Sequence, residues 1–302
     1  MKRDLTEGPI TKTILFFSLP LIAGNLLQQL YNVADTLIVG RFLGAQALAA
    51  VGSAYTLMTF LTSIILGLCM GSGAVFSIRY GERDVEGLHK SMGAAFTLIL
   101  LAALLLNALV FLWIDPILML LQVPEEIYAM MRDYLWVIFW GILATFLYNY
   151  FASLLRALGN SVVPLAFLGV CALLNVALDL WFVLGLGWGV KGAAVATVFS
   201  QYVSGLSLWA STYLKMPGLR LQTKYLLPNR ATVKEIAQFS FLTSLPQSVM
   251  NLGILMVRKV NGWVGTAVLL QKSDALVQTC NEKGGAIVDI ICGKSCLHKG
   301  CQ

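Results

Sequence analysis

Charge is scarce in this sequence. Lys, Arg, Asp and Glu together make up 12% of its 302 residues, about half the usual share of a soluble domain, which excludes a water-facing surface over most of the chain. Histidine is rarer still, with two residues, so no histidine-rich metal site can be built. Of six cysteines, four (Cys280, Cys292, Cys296 and Cys301) fall in the last stretch. Cys292, Cys296, His298 and Cys301 do not have the Cys-x2-Cys spacing of a structural zinc site, so no metal ligands are assigned. A glycine-rich phosphate cradle and a serine nucleophile elbow are both missing, which leaves no catalytic residue to name and no cofactor to expect.

What is present is apolar sequence, 58% of the residues. It falls into runs of the length that crosses a hydrocarbon core of about 30 Å as a helix: near 14–40, 48–76, 92–114, 130–154, 162–184, 190–213 and 236–257. The first is too long for a signal-peptide core and no small-residue cleavage site follows it, so it reads as a span. The expected class is an all-α polytopic membrane protein.

The net charge of +6 has the distribution of a topology signal. Lys2, Arg3, Lys12, Arg79, Arg83, Lys90, Arg156, Lys215, Arg220, Lys224, Arg230 and Lys234 fall on one side of the expected spans, against Arg41, Arg132 and Lys191 on the other. The positive-inside rule puts the first side, with the N-terminus, in the cytoplasm. The loop carrying Asp115, Glu125, Glu126 and Asp133 then faces outward, and nucleic acid is not an expected partner. Trp113, Trp181 and Trp188 near span ends read as interface anchors.

The expected organisation is a six-helix lobe over 1–214, a cytoplasmic linker over 215–235 with Pro217 and Pro228, the first helix of a second lobe over 236–257, and an irregular or disordered tail over 258–302, or one read in another frame. "SLPLIAGN" at 18–25 returns as "SLPQSVMN" at 244–251. Six spans separate the copies, so both enter the membrane in the same direction, as parallel repeats do.

Of fifteen acidic residues, all but Asp35 and Asp179 lie in loops, at span ends or in the tail. At about 1.5 Å of rise per residue, Asp35 lies about 9 Å inward from Arg41 and Asp179 about 8 Å inward from Gly185. Thr197 is about 10 Å down the next span, and Asn175 is one helical turn from Asp179 on the same face. Carboxylates are costly in lipid, and two of them with an amide and a hydroxyl can share a proton or offer hard oxygens to a small cation. Hydrogen-bonded glue between helices would suit Asn175 and Thr197 alone, but glue does not need charge. Pro20 removes a backbone hydrogen bond inside the first span and is expected to kink it. "GLCMG" at 67–71 reads as close helix packing.

These residues resemble a known family. "SLPLIAGNLLQQLYNVADTLIVGRFLGAQALAAVG" at 18–52, "LLRALGNS" at 154–161 and "GVKGAAVAT" at 189–197 are similar to the multidrug and toxic compound extrusion (MATE) transporters. The resemblance implies two six-helix lobes around a central cavity, export of cationic or amphipathic drugs in exchange for H+ or Na+, and a bacterial inner-membrane location. It implies a cation site at Asp35, Asn175, Asp179 and Thr197, and a bending role for Pro20. A member has about twelve spans, so the chain reads as an N-terminal lobe whose second lobe is missing, or is supplied elsewhere in the gene or by a partner chain, and a non-transporting fragment is the further reading. Two alternatives remain: a lipid-linked oligosaccharide flippase of the same superfamily, which would call for a basic cavity, and an intramembrane aspartyl protease, whose Tyr-Asp and Gly-x-Gly-Asp motifs are not those of "VADT" and "ALDLW".

Overall fold

In the computed structural model, residues 10–226 and 230–241 are described. The tail over 258–302, the repeat copy at 244–251 and all but the first turns of the expected span 236–257 lie outside them. Every regular element among the described residues is helical: α1 Ile10–Leu43, α2 Ala45–Gly81, α3 Val85–Leu120, α4 Glu125–Ile138, α5 Gly141–Ala157, α6 Val162–Asp179 with a π-helical turn at Leu180–Gly185, and α7 Gly189–Lys215. Short 3-10 turns at Pro217–Leu219 and Thr223–Tyr225 lead to α8, residues 230–241, which starts inside the stretch expected as linker.

The chain is an all-α polytopic membrane protein. α2, α3 and α6 with its π turn are long and apolar enough to cross a membrane, and α4 with α5 forms a fourth, broken span. The remaining long helices, α1 and α7, have 34 and 27 residues but carry more polar side chains. α3 shows how the bundle is solvated. Leu101, Leu105, Leu109 and Leu112 are exposed while Ile99, Ala103, Asn107 and Val110 are buried, so small and polar groups face the neighbours and leucine faces outward, where lipid makes its exposure cheap.

α5 is central, packing against α2 and α7, while α6 joins α1 to α7. Tyr150 of α5 is buried among Phe76, Phe96, Phe146 and Phe151, with centroids 5.1 to 6.1 Å away. Its hydroxyl donates to the Met92 carbonyl at 2.8 Å, which satisfies the polar handle of an otherwise apolar anchor.

The structure corrects one reading of the sequence. The span expected over 130–154 is bent by 45° between α4 and α5, and side chains from elsewhere hold the break: Asn107 Nδ2 donates to the Phe139 carbonyl and Tyr202 Oη to the Trp140 carbonyl, both at 2.9 Å. Gly141 admits α7 there, since a Cβ would stand 2.7 Å from Gln201 Oε1. α1, in contrast, continues as one helix through Pro20, its eleventh residue; the proline removes a single backbone bond, and the flanking turns carry the helix on. The clear backbone departure is in α3, where Trp113 takes φ −121° and ψ 20° ahead of Pro116, because the proline ring crowds the preceding turn.

Helix ends follow local chemistry. Asp84 caps α3 by accepting from the Gly87 N–H at 2.8 Å. After α6, Gly187 and Gly189 have φ of +65° and +60°, which allows "LGLGWGV" to reverse in a tight turn, while Trp181, Phe182 and Trp188 stack over it at 5.4 and 5.1 Å. The three tryptophans named above are each more than half exposed. Glycines also admit the segment after α7: Gly71 faces the Ser240 backbone of α8 and Gly93 the Tyr225 carbonyl. Arg79 meets Glu235 at 2.8 Å, and Thr97 donates to the Leu226 carbonyl at 2.8 Å.

Candidate functional site

A cavity of about 740 Å³ lies between α1, α2, α5, α6 and α7. Its α1 wall is one stripe, with Pro20, Gly24, Gln28, Tyr31, Asn32 and Asp35 all lining it, at the three- and four-residue spacing that puts side chains on one helical face. The polar members sit inward because the other face of α1 presents Leu19, Ile22, Leu26, Leu30 and Val33, all exposed.

Four residues singled out from the sequence meet at one end of this cavity. Asp35 and Thr197 line it, while Asn175 and Asp179 lie behind its wall, each with 0% exposure. Asn175 Nδ2 donates to Thr197 Oγ1 at 3.2 Å, linking α6 to α7. The Asp35 and Asp179 carboxyl groups approach each other closely enough to interact directly. As ionised groups both only accept, and neither can satisfy the other. Four buried oxygens here have no donor among the described residues: Asp35 Oδ1, Asn175 Oδ1, and both oxygens of Asp179.

An acceptor-rich, donor-poor site of this kind attracts positive charge. One proton held between the carboxyl groups turns their contact into a hydrogen bond, and a small hard cation would meet carboxylate, amide and hydroxyl oxygens. Pro20, also singled out, lines the cavity fifteen residues before Asp35, about 22 Å away along the helix.

Sequence reasoning missed several residues. Tyr31 and Tyr134 are close enough to both acids to feel their charge, and Tyr55 joins them in the cavity wall. The signal for Tyr31 was available, as it is four residues before Asp35 on a stripe that is polar in an apolar helix; Tyr55 and Tyr134 come from other helices and carried none. Arg156 was expected just beyond the end of a span, on the cytoplasmic side. It belongs to the last turn of α5 and lines the cavity.

Residues 20–181, which contain α2 to α5 and reach from Pro20 to just past Asp179, match the MatE family model. The chain belongs to the MatE family. Among relatives of this MatE chain, the probable multidrug resistance protein YpnP of Bacillus subtilis is 34% identical over 203 residues, covering 67% of this chain and 46% of that protein. The probable multidrug resistance protein NorM of Thermotoga maritima is 26% identical over 263 residues, 86% of this chain and 56% of that one. A solved inward-facing structure of a multidrug resistance MATE transporter aligns with a TM-score of 0.75 at 25% identity, over 85% of this chain and 58% of that chain. The MatE chain thus spans about half the length of the curated relatives it matches.

Proposed function

We propose that this lobe is the ion-coupling part of a secondary antiporter that exports amphipathic or cationic small molecules in exchange for H+ or Na+. The observation that carries the reading is the meeting of Asp35 with Asp179, two acids from different helices, three of whose four oxygens lack a donor among the described residues, at the end of a solute-sized cavity. A site that exchanges a cation needs that combination of negative charge, burial and access. The names of the multidrug resistance relatives support the class of cargo.

On this reading the Pro20 end faces the cytoplasm of a bacterial inner membrane, and the lobe works against a second helical lobe, since the relatives are about twice the length matched. Entry of one positive charge down 100 mV yields about 2.3 kcal/mol, enough to drive a modest gradient of exported solute.

Cation binding can be read without transport. The 302-residue chain in lipid nanodiscs should take up H+, followed by a pH indicator in weak buffer, or radioactive 22Na+, followed by scintillation proximity. Asp35→Asn combined with Asp179→Asn should remove that uptake in protein that still elutes as a monodisperse peak. Undiminished uptake of both ions by the double variant would refute the coupling role.

A further inference from the structure

Arg156 is not used by the coupling site. It stands in the last turn of α5, immediately before the turn into α6, whose first half packs on the Pro20 half of α1: Leu165 and Leu168 face Gly24, and Leu27 faces Gly169. Arg156 therefore lines the cavity at the end opposite Asp35, about 20 Å away by helix rise.

Among the described residues, its surroundings offer hydrogen-bonding groups and no counter-charge. Asn149 and Ser153 lie seven and three residues earlier on the cavity-facing stripe of α5, Ser77 faces them from α2, and Ser161 closes the end. Gly73 brings α2 close, its Cβ position being 3.4 Å from Ser153 Cβ. Asp35 is the acid of the cavity wall, and none of the ion pairs among the described residues includes Arg156. The Arg156 Nε is buried without a hydrogen-bond partner among the described residues.

A cation at a helix C-terminus is favoured by the helix dipole, which accounts for an arginine near residue 156. It does not account for a guanidinium turned into a cavity with a buried, unbonded N–H, a costly arrangement unless something completes it. The fork of a guanidinium beside hydroxyls matches the oxygens of a phosphate or carboxylate.

We infer that the Arg156 end of the cavity is a subsite for one anionic oxygen group, a phosphate or carboxylate, carried by an amphipathic solute or by a lipid headgroup. The cavity then has two chemically opposite ends, acidic at Asp35 and basic at Arg156. The subsite rests on the cavity being the solute path, but not on the ion exchanged at Asp35.

The test is equilibrium binding by the 302-residue chain in nanodiscs of zwitterionic lipid, without any ion gradient, using hexyl phosphate and hexyltrimethylammonium as probes. Arg156→Gln should weaken hexyl phosphate by about tenfold to a hundredfold, the worth of a charge-assisted contact, and leave hexyltrimethylammonium within about twofold; Arg156→Lys should lose less. An unchanged affinity for hexyl phosphate in Arg156→Gln, or equal losses for both probes, would overturn the subsite. A measurement on the unsubstituted chain guards against misfolding: hexyl phosphate should slow modification of Arg156 by phenylglyoxal, read by mass spectrometry, and no protection would also overturn it. Repeating the titration in phosphatidylglycerol discs separates the sources, since competition there assigns the site to a lipid headgroup and undiminished binding assigns it to a solute. The coupling role fails if the double variant at Asp35 and Asp179 keeps its cation uptake, and this subsite fails if Arg156→Gln keeps its phosphate binding, so the two failures are distinct.

Discussion

Asn175 of α6 gives its amide N–H to the Thr197 hydroxyl of α7 across 3.2 Å, with both residues buried. The bond fixes which way the amide points, and leaves the buried Asn175 Oδ1 without a donor among the described residues. Thr197→Val keeps the shape but removes the acceptor, and should destabilise the chain by about 1–3 kcal/mol, the cost of stranding a buried donor. With Asn175→Leu added, much of that loss should return. Thermal melts of the four proteins of this cycle measure the coupling, and strictly additive losses would show that the bond contributes nothing.

The broken span makes an ordered prediction. Asn107 is 8% exposed and bonds to the Phe139 carbonyl, whereas Tyr202 bonds to the Trp140 carbonyl at an exposed position. Asn107→Leu should cost about 1–3 kcal/mol and Tyr202→Phe under about 1 kcal/mol, because water or headgroups can replace the tyrosine but not the asparagine. Equal melting shifts in the two variants would contradict this assignment.

Gly141 tests the approach of α7 at the same break. Its absent Cβ would lie 2.7 Å from Gln201 Oε1 and 3.3 Å from Val198 Cγ2. Gly141→Ala should destabilise by about 1–3 kcal/mol as an overpacked position, and Gln201→Ala in the same chain should relieve most of it. The informative quantity is the double variant's melting temperature, which rises above that of Gly141→Ala alone if the clash is real.

Arg79 and Glu235 join α2 to α8 at 2.8 Å with side chains about 30% exposed. A pair this wet contributes no more than about 1 kcal/mol and is weakened by salt. Glu235→Arg should lower the melting temperature at low ionic strength, adding Arg79→Glu should restore it, and both effects should shrink in 1 M salt. A reversed pair that stays as unstable as the single variant would mean that the contact does not form.

The sequence by itself determined the apolar stretches that make the long helices, the Asp84 cap and the stripe on α1. Hydropathy over about 20 residues, an Asp before a helix, and polar groups every three or four residues are local properties, which no distant contact needs to supply. Spacing along helices also placed Asp35, Asp179 and Thr197 at similar depth with Asn175 one turn from Asp179, though it could not say which of them face a cavity and which lie behind its wall. The tertiary structure alone decided the break at Phe139 and Trp140, whose carbonyls take their donors from residues 32 and 62 positions away, and the passage of α1 through Pro20 without interruption. It also decided the inward turn of Arg156 and the gathering of Tyr55 and Tyr134 around Asp35. In each of these the outcome depends on which side chain from another helix arrives to satisfy or crowd a group, and that choice is made only when the helices pack.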